Sequence, residues 1–129
     1  MKPEQLANMA AQSRTHAYAP YSGFLVGAVL LAADGEVYTG CNVENASYGL
    51  SMCAERVAAF KALSAGQCSF VSMALSASGA ASPCGACRQV LNEFNPAMKL
   101  YLADEQGAIM QETTLNALLP DAFGPENLD

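Results

Sequence analysis

Leu6, Met9, Ala10, Ser13 and Ala17 recur at three- and four-residue spacing, which predicts a first helix. Pro3 suits its opening turn, and the helix ends before Pro20. From 24 to 33 the pattern becomes a near-continuous apolar run of strand length, the mark of a buried strand. Asp34-Gly35 then turns the chain into a second strand over 36–43. Helix formers crowd 52–65 and stop before Gly66, with Ser51 a candidate cap. The stretch 69–77 reads as a strand, and Pro83 opens a helix through about Phe94. A strand follows over 99–103, with a short one over 109–111 after a turn at Gly107. Thr113 or Thr114 caps a last helix that ends near Pro120. The order α-β-β-α-β-α-β-(β)-α predicts a mixed sheet with helices on both faces, in one domain over 1–129.

Bulk properties narrow the function. The chain is 52% apolar and only 14% charged, which suits a compact core and suggests that another subunit covers some apolar surface. Its net charge is −6 with no basic run, so no nucleic acid is expected as a partner. No apolar run approaches a membrane span, so no membrane partner is expected. Five cysteines, an odd number, behind an N-terminus without an apolar signal region predict reduced thiols and a cytoplasmic protein. Cys41 and Cys68 lie in apolar stretches and read as small buried hydrophobes.

The other three cysteines carry chemistry. Cys53-Ala54-Glu55 is followed by Pro83-Cys84-Gly85-Ala86-Cys87. Three thiolates can hold Zn2+ and leave its fourth tetrahedral position open to water, the layout of a catalytic site. Cys84 and Cys87, three apart, share one face of a helix whose N-terminal dipole favours thiolate. Cys53 and Glu55 are harder to reconcile, because residues two apart on a regular helix point about 200° apart. Both face one metal only if the helix begins within a residue or two of Cys53. Three thiolates on Zn2+ leave a net negative charge, which Arg56 and Arg88, placed one turn after Cys53 and Cys84, would offset.

Glu55, as a carboxylate beside an open metal position, can carry a proton to and from water. The Cys-Ala-Glu and Pro-Cys-x-x-Cys pair is the signature of zinc deaminases. Over its whole length the chain resembles the small, three-cysteine cytidine deaminases that act on free nucleosides. That resemblance implies a three-layer α/β/α sandwich with a mixed five-stranded sheet and one zinc per chain. It also implies hydrolysis of cytidine and 2′-deoxycytidine to uridine and 2′-deoxyuridine with release of ammonia, a reaction of pyrimidine salvage. Glu55 would move the proton from water to ring N3 and then to the leaving amine.

The likeness extends to the substrate pocket. The segment Pro20-Tyr21-Ser22-Gly23-Phe24-Leu25-Val26-Gly27-Ala28 is similar to the family's entry to its first strand. By that match Phe24 packs on the pyrimidine and Val26 lines the pocket. Asn42-Val43-Glu44 matches the family's Asn-x-Glu pair, which implies that Asn42 and Glu44 bond the ribose hydroxyls; the Ala54 backbone would read the base edge. An amide and a carboxylate suit hydroxyls that both donate and accept. Ala46, Tyr48 and Phe123 match positions at subunit contacts, Phe123 reaching a neighbour's site, which implies a homotetramer.

Other readings follow from the same residues. A related deaminase of a modified cytosine nucleoside, of the blasticidin type, shares the metal motif. A polynucleotide deaminase fits poorly with the acidity. Cys84-x-x-Cys87 alone suits a dithiol redox protein, but that reading gives Cys53 and Glu55 no task. A structural zinc site needs a fourth ligand, and neither Cys41 nor His16 has the spacing; His16, near the end of the first helix, reads as a surface or capping residue.

Overall fold

The apolar run after Phe24 is buried on both faces because each face meets a helical layer. A computed structural model describes residues 1–128. In it β1 (Val26–Ala32) pairs antiparallel with β2 (Val37–Cys41) and with β3 (Phe70–Ala77). β3 runs parallel to β4 (Lys99–Ala103), and β4 pairs antiparallel with β5 (Ile109–Thr114). The order across the sheet is β2-β1-β3-β4-β5. This is the mixed five-stranded sheet and three-layer α/β/α sandwich expected from the sequence.

Side chains alternate between the layers, as the strand period requires. Val29, Ala74 and Tyr101 pack against Leu6, Ala7 and Ala10 of α1 (Pro3–Arg14). On the opposite face, Ala28, Leu30, Met73 and Leu75 pack with Ala54, Ala58 and Ala62 of α2 (Ala54–Ser64). Leu91 of α3 (Gly85–Asn92) and Leu115 of α4 (Leu115–Leu118) complete that core.

Two glycines set how closely the helices approach. A Cβ on Gly27 would collide with the Ala10 carbonyl and lie 2.5 Å from the Arg14 nitrogen of α1. A Cβ on Gly40 would collide with the Ala54 carbonyl and lie 2.7 Å from the Ala58 nitrogen of α2. Gly40 therefore decides where the first turn of α2 rests on the sheet.

Several boundaries differ from the expected ones. α1 ends at Arg14, so His16 lies in the turn beyond it and is exposed. β1 starts at Val26 because side chains take the preceding carbonyls, Asn42 that of Phe24 and Arg14 that of Leu25. α2 starts at Ala54 with Cys53 as its N-cap, so Ser51 is not the cap and Met52 pairs with Val43 in an isolated bridge. Likewise α3 opens at Gly85 with Cys84 as its N-cap, so Pro83 lies before the helix, and it ends at Asn92 rather than Phe94. β5 runs on to Thr114, longer than its sequence suggested, because it pairs along the whole of β4. Cys68 is exposed, contrary to expectation, because it falls in the connection between α2 and β3; Cys41 is half-buried.

Gly40→Ala should destabilise the protein by about 1–3 kcal/mol, the usual range for overpacking. Gly49→Ala, whose Cβ would meet nothing within 4 Å, should stay within about 0.5 kcal/mol of wild type. Urea unfolding of both variants checks the pair, and equal stabilities would remove Gly40 as the spacer.

Candidate active site

The puzzle of Cys53 and Glu55 is resolved at the helix end. Cys53 is the N-cap, with extended φ −72° and ψ 151°, so its side chain leaves the helix start and does not follow the regular helical arrangement. Cys84 has the same role on α3, with φ −66° and ψ 166°, and Cys87 sits three residues further on. An N-cap side chain naturally reaches towards the third helical residue. Cys84 and Cys87 thus meet with Sγ atoms 3.5 Å apart, and Cys53 Sγ lies 3.8 Å from Cys84 Sγ.

All three sulfurs lie within 4.8 Å of one another. Sulfurs bound tetrahedrally to zinc at about 2.3 Å stand about 3.8 Å apart, so the donor set fits that metal. Two helix N-termini also point their positive ends at the cluster.

The Cys53 pKa is pulled down to about 5, first by the neighbouring Cys87 sulfur, with Arg56 and Cys84 adding and burial opposing. Cys87 is pushed up, first by the neighbouring Cys53 sulfur, then by burial and by the charge of Glu55. Arg56 Nη2 donates to Cys53 Sγ at 3.5 Å, while its Nε is buried without a partner among the described residues. Arg56 therefore stands where the sequence placed it, against the sulfurs. Glu55 is 5% exposed, and burial raises its carboxyl above the ordinary value, the charge of Cys53 adding to the effect.

Beside the sulfurs opens a cavity of about 180 Å³ lined by Phe24, Val26, Cys53, Ala54, Glu55, Leu75, Ala81, Ser82 and Cys84. The first five and Cys84 are residues singled out from the sequence. Leu75, Ala81 and Ser82 were not, since Leu75 reads as ordinary strand core and the other two as a loop. A second cleft of about 340 Å³ is lined by Tyr21, Ser22, Glu44, Tyr48 and Ser51. Glu44 and Tyr48 belong to this cleft, while Ala46, Arg88 and Phe123 line neither cavity.

Asn42 and Glu44 hold the segment that carries Phe24. Asn42 Oδ1 accepts from Val26 N–H and its Nδ2 donates to the Phe24 carbonyl, each at 2.8 Å. Glu44 Oε1 accepts from the Tyr21 and Ser22 N–H groups at 3.0 and 3.1 Å, and Oε2 accepts from the Ser22 hydroxyl. That hydroxyl in turn accepts from Phe24 N–H at 3.0 Å. These bonds lower the Glu44 pKa, the Ser22 hydroxyl contributing most. Each side chain keeps unused hydrogen-bonding capacity for a ligand hydroxyl. Backbone pairing makes the arrangement: Val43 bridges Tyr18 on one side and Met52 on the other.

Arg88 differs from its expected place. Its guanidinium bonds the Pro83 carbonyl at 2.7 Å, the Leu118 carbonyl at 2.8 Å and Ser82 Oγ at 3.1 Å. Among the described residues it makes no hydrogen bond to a sulfur, so the sequence spacing misjudged its direction. Phe123 is exposed, and its carbonyl accepts from Gln89 Nε2 at 2.8 Å.

An α/β/α sandwich with three thiols at two helix N-termini and a buried carboxyl facing a small cavity defines the class of zinc-dependent deaminases. Residues 1–103 match the family model described as "Cytidine and deoxycytidylate deaminase zinc-binding region". The chain is 51% identical over 131 residues to a cytidine deaminase of Sporosarcina psychrophila, covering 99% of this chain and 96% of that one. It is also 51% identical to a cytidine deaminase of Halalkalibacterium halodurans, covering 100% and 99%. The crystal structure of a cytidine deaminase from Burkholderia pseudomallei superposes with a TM-score of 0.90 at 48% identity, covering 95% of this chain and 100% of that one. The chain belongs to the cytidine and deoxycytidylate deaminase family.

Two outcomes test the electrostatics. Arg56→Ala should lower zinc affinity by about tenfold or more; unchanged zinc retention in a chelator competition would remove its supporting role. Because the Glu44 pKa is lowered on folding, its contribution to stability is present above the ordinary value of 4.5 and lost as pH falls through the depressed value. The melting-temperature gap between wild type and Glu44→Gln should therefore narrow below pH 4.5. A gap constant with pH would show that the carboxylate charge does not hold the loop.

Proposed function

We propose that this chain is a zinc-dependent hydrolase that deaminates cytidine and 2′-deoxycytidine. The observation that carries the reading is Glu55, buried and lining the same small cavity as two of the three clustered cysteines. At about 180 Å³, the cavity is smaller than the roughly 300–1,000 Å³ typical of drug-sized ligand sites.

Cys53, Cys84 and Cys87 would hold one zinc per chain. When bound, zinc supplies a Lewis acid that lowers the pKa of a water towards ~7. Glu55, made more basic by burial, takes a proton from the attacking water and passes it to ring N3. The water oxygen bonds to C4, Glu55 hands a proton to the amine there, and the C4–N bond breaks. The proton given to the amine is the one Glu55 removes from the new C4 hydroxyl, so a C4 carbonyl forms as the C4–N bond breaks. Ammonia and the uracil nucleoside leave with atoms and charges balanced. Phe24 and Val26 form the wall against which the ring lies, and the Ala54 backbone meets the base edge. Asn42 and Glu44 offer their remaining lone pairs and N–H to the ribose hydroxyls.

The finer reading includes the assembly and setting. A homotetramer is supported by the exposed Tyr21, Tyr48 and Leu50, grouped where the two tyrosine rings meet at 5.7 Å, since apolar surface in one region usually marks a contact. Ala46 and Tyr48 would lie at that contact, with Phe123 entering a neighbour's site. The acidity supports a free nucleoside over a polynucleotide, in a cytoplasmic role of pyrimidine salvage by the single domain 1–129. No described helix is long and apolar enough to cross a membrane.

Loss of the cytidine ultraviolet band on incubation with the zinc-loaded protein tests the reaction. Glu55→Gln should retain zinc and lose about 10²–10⁴-fold or more in kcat, the range general acid–base help supplies. Retained activity would require another proton carrier. Failure of the wild type on both nucleosides would redirect the reading to modified cytosine nucleosides.

A further inference from the structure

Arg88 binds three acceptors from two distant segments. Ser82 and Pro83 form the loop that leads into the ligand Cys84, and Ser82 also lines the cavity. Leu118 ends α4, thirty residues along the chain from Arg88. The next residue, Gln89, bonds the Phe123 carbonyl. Adjacent side chains of α3 therefore grip the C-terminal segment at two points, and the same helix supplies Cys87.

Each of these bonds reduces a freedom that would matter to the metal. Ser78 to Ala80 form a short turn in which Gly79 and Ala80 have positive φ, 70° and 51°. For Ala80 that conformation is unfavourable, so the turn needs support from its surroundings. Beyond it, residues 81–84 carry no helix or strand. A loop of this kind does not fix Cys84 by its own backbone bonding. A planar guanidinium that joins the Pro83 carbonyl, Ser82 hydroxyl and Leu118 carbonyl supplies that restraint, because its donors form a rigid fork.

The geometry points to Arg88 as a positioning residue that ties the C-terminal segment to the metal centre, by fixing the Ser82-Pro83 loop and with it Cys84. The inference rests on the reading of the three sulfurs as a zinc site. It gives the C-terminal segment a task within its own subunit, separate from any contact Phe123 makes with a neighbour. Charge alone does not perform this task, so Lys at the same position, with one ammonium for three acceptors, replaces it only in part.

The test is the rate at which the full-length zinc-loaded protein yields zinc to a chromogenic chelator. It is read together with the thiolate-to-metal absorption of the cobalt-substituted form. Arg88→Ala should release zinc about 10–100-fold faster, the usual effect of removing a residue that orients a ligand, and should shift the cobalt spectrum. Arg88→Lys should fall between Ala and wild type, and Ser82→Ala should show a smaller change of the same sign. Val29→Ala, buried on the face against α1, serves as a control for general loss of stability. If Arg88→Ala does not fold, the Lys and Ser82→Ala variants carry the comparison. Wild-type release rates and spectra in the Arg88 and Ser82 variants would overturn the inference, as would equally fast release from Val29→Ala. A wild type that takes up no zinc would instead overturn the metal reading on which the inference stands.

Discussion

Gly40 is the point on which the site depends. Its missing side chain lets the Ala54 carbonyl and the Ala58 nitrogen rest directly on β2, so the start of α2 is fixed against the sheet. Cys53 is the cap of that helix and Glu55 its second residue. Any shift of the first turn would move a ligand and the proton carrier together. On the opposite face Gly27 lets α1 approach equally closely, and the sheet between them is held from both sides.

The electrostatics follow from that placement. Three thiols and a carboxyl within a small volume would repel one another if all were ionised. The protein answers with two helix N-termini and Arg56, and it buries Glu55 so that its proton is held more firmly. Cys53 is drawn towards thiolate and Cys87 towards thiol, a division that a divalent cation would remove by favouring thiolate at every sulfur. Arg88 contributes through geometry, by bonding the Pro83 carbonyl before Cys84 and the Leu118 carbonyl at the end of α4.

Asn42 and Glu44 show how one pair of polar residues can have two tasks. Their bonds to residues 21–26 shape the loop that presents Phe24 and Val26 to the cavity. The same groups retain unused lone pairs and an N–H, and Glu44 lines the larger cleft. A pocket wall and a polar anchor built from one network respond together, so disturbing either member alters the position of the aromatic wall as well as any bond to a ligand.

Much of this was legible in the chain itself. The apolar run after Phe24 marked a buried strand, the turn at Asp34-Gly35 fixed a hairpin, and Cys53, Glu55, Cys84 and Cys87 announced a metal and a proton carrier. Helix geometry also required α2 to begin within a residue or two of Cys53, since residues two apart on a regular helix do not share a face, although the cap is Cys53 and not Ser51. Local spacing reaches no further than its own element. That Cys53 meets Cys84, 31 residues away, and that Glu44 seizes Ser22, 22 residues before it, were decided by strand order and by the Val43 bridges. The same limit left Arg88 misjudged, since its one-turn spacing from Cys84 gave its height on the helix. The free carbonyls of Pro83 and Leu118, which only the folded chain brings within reach, gave its direction.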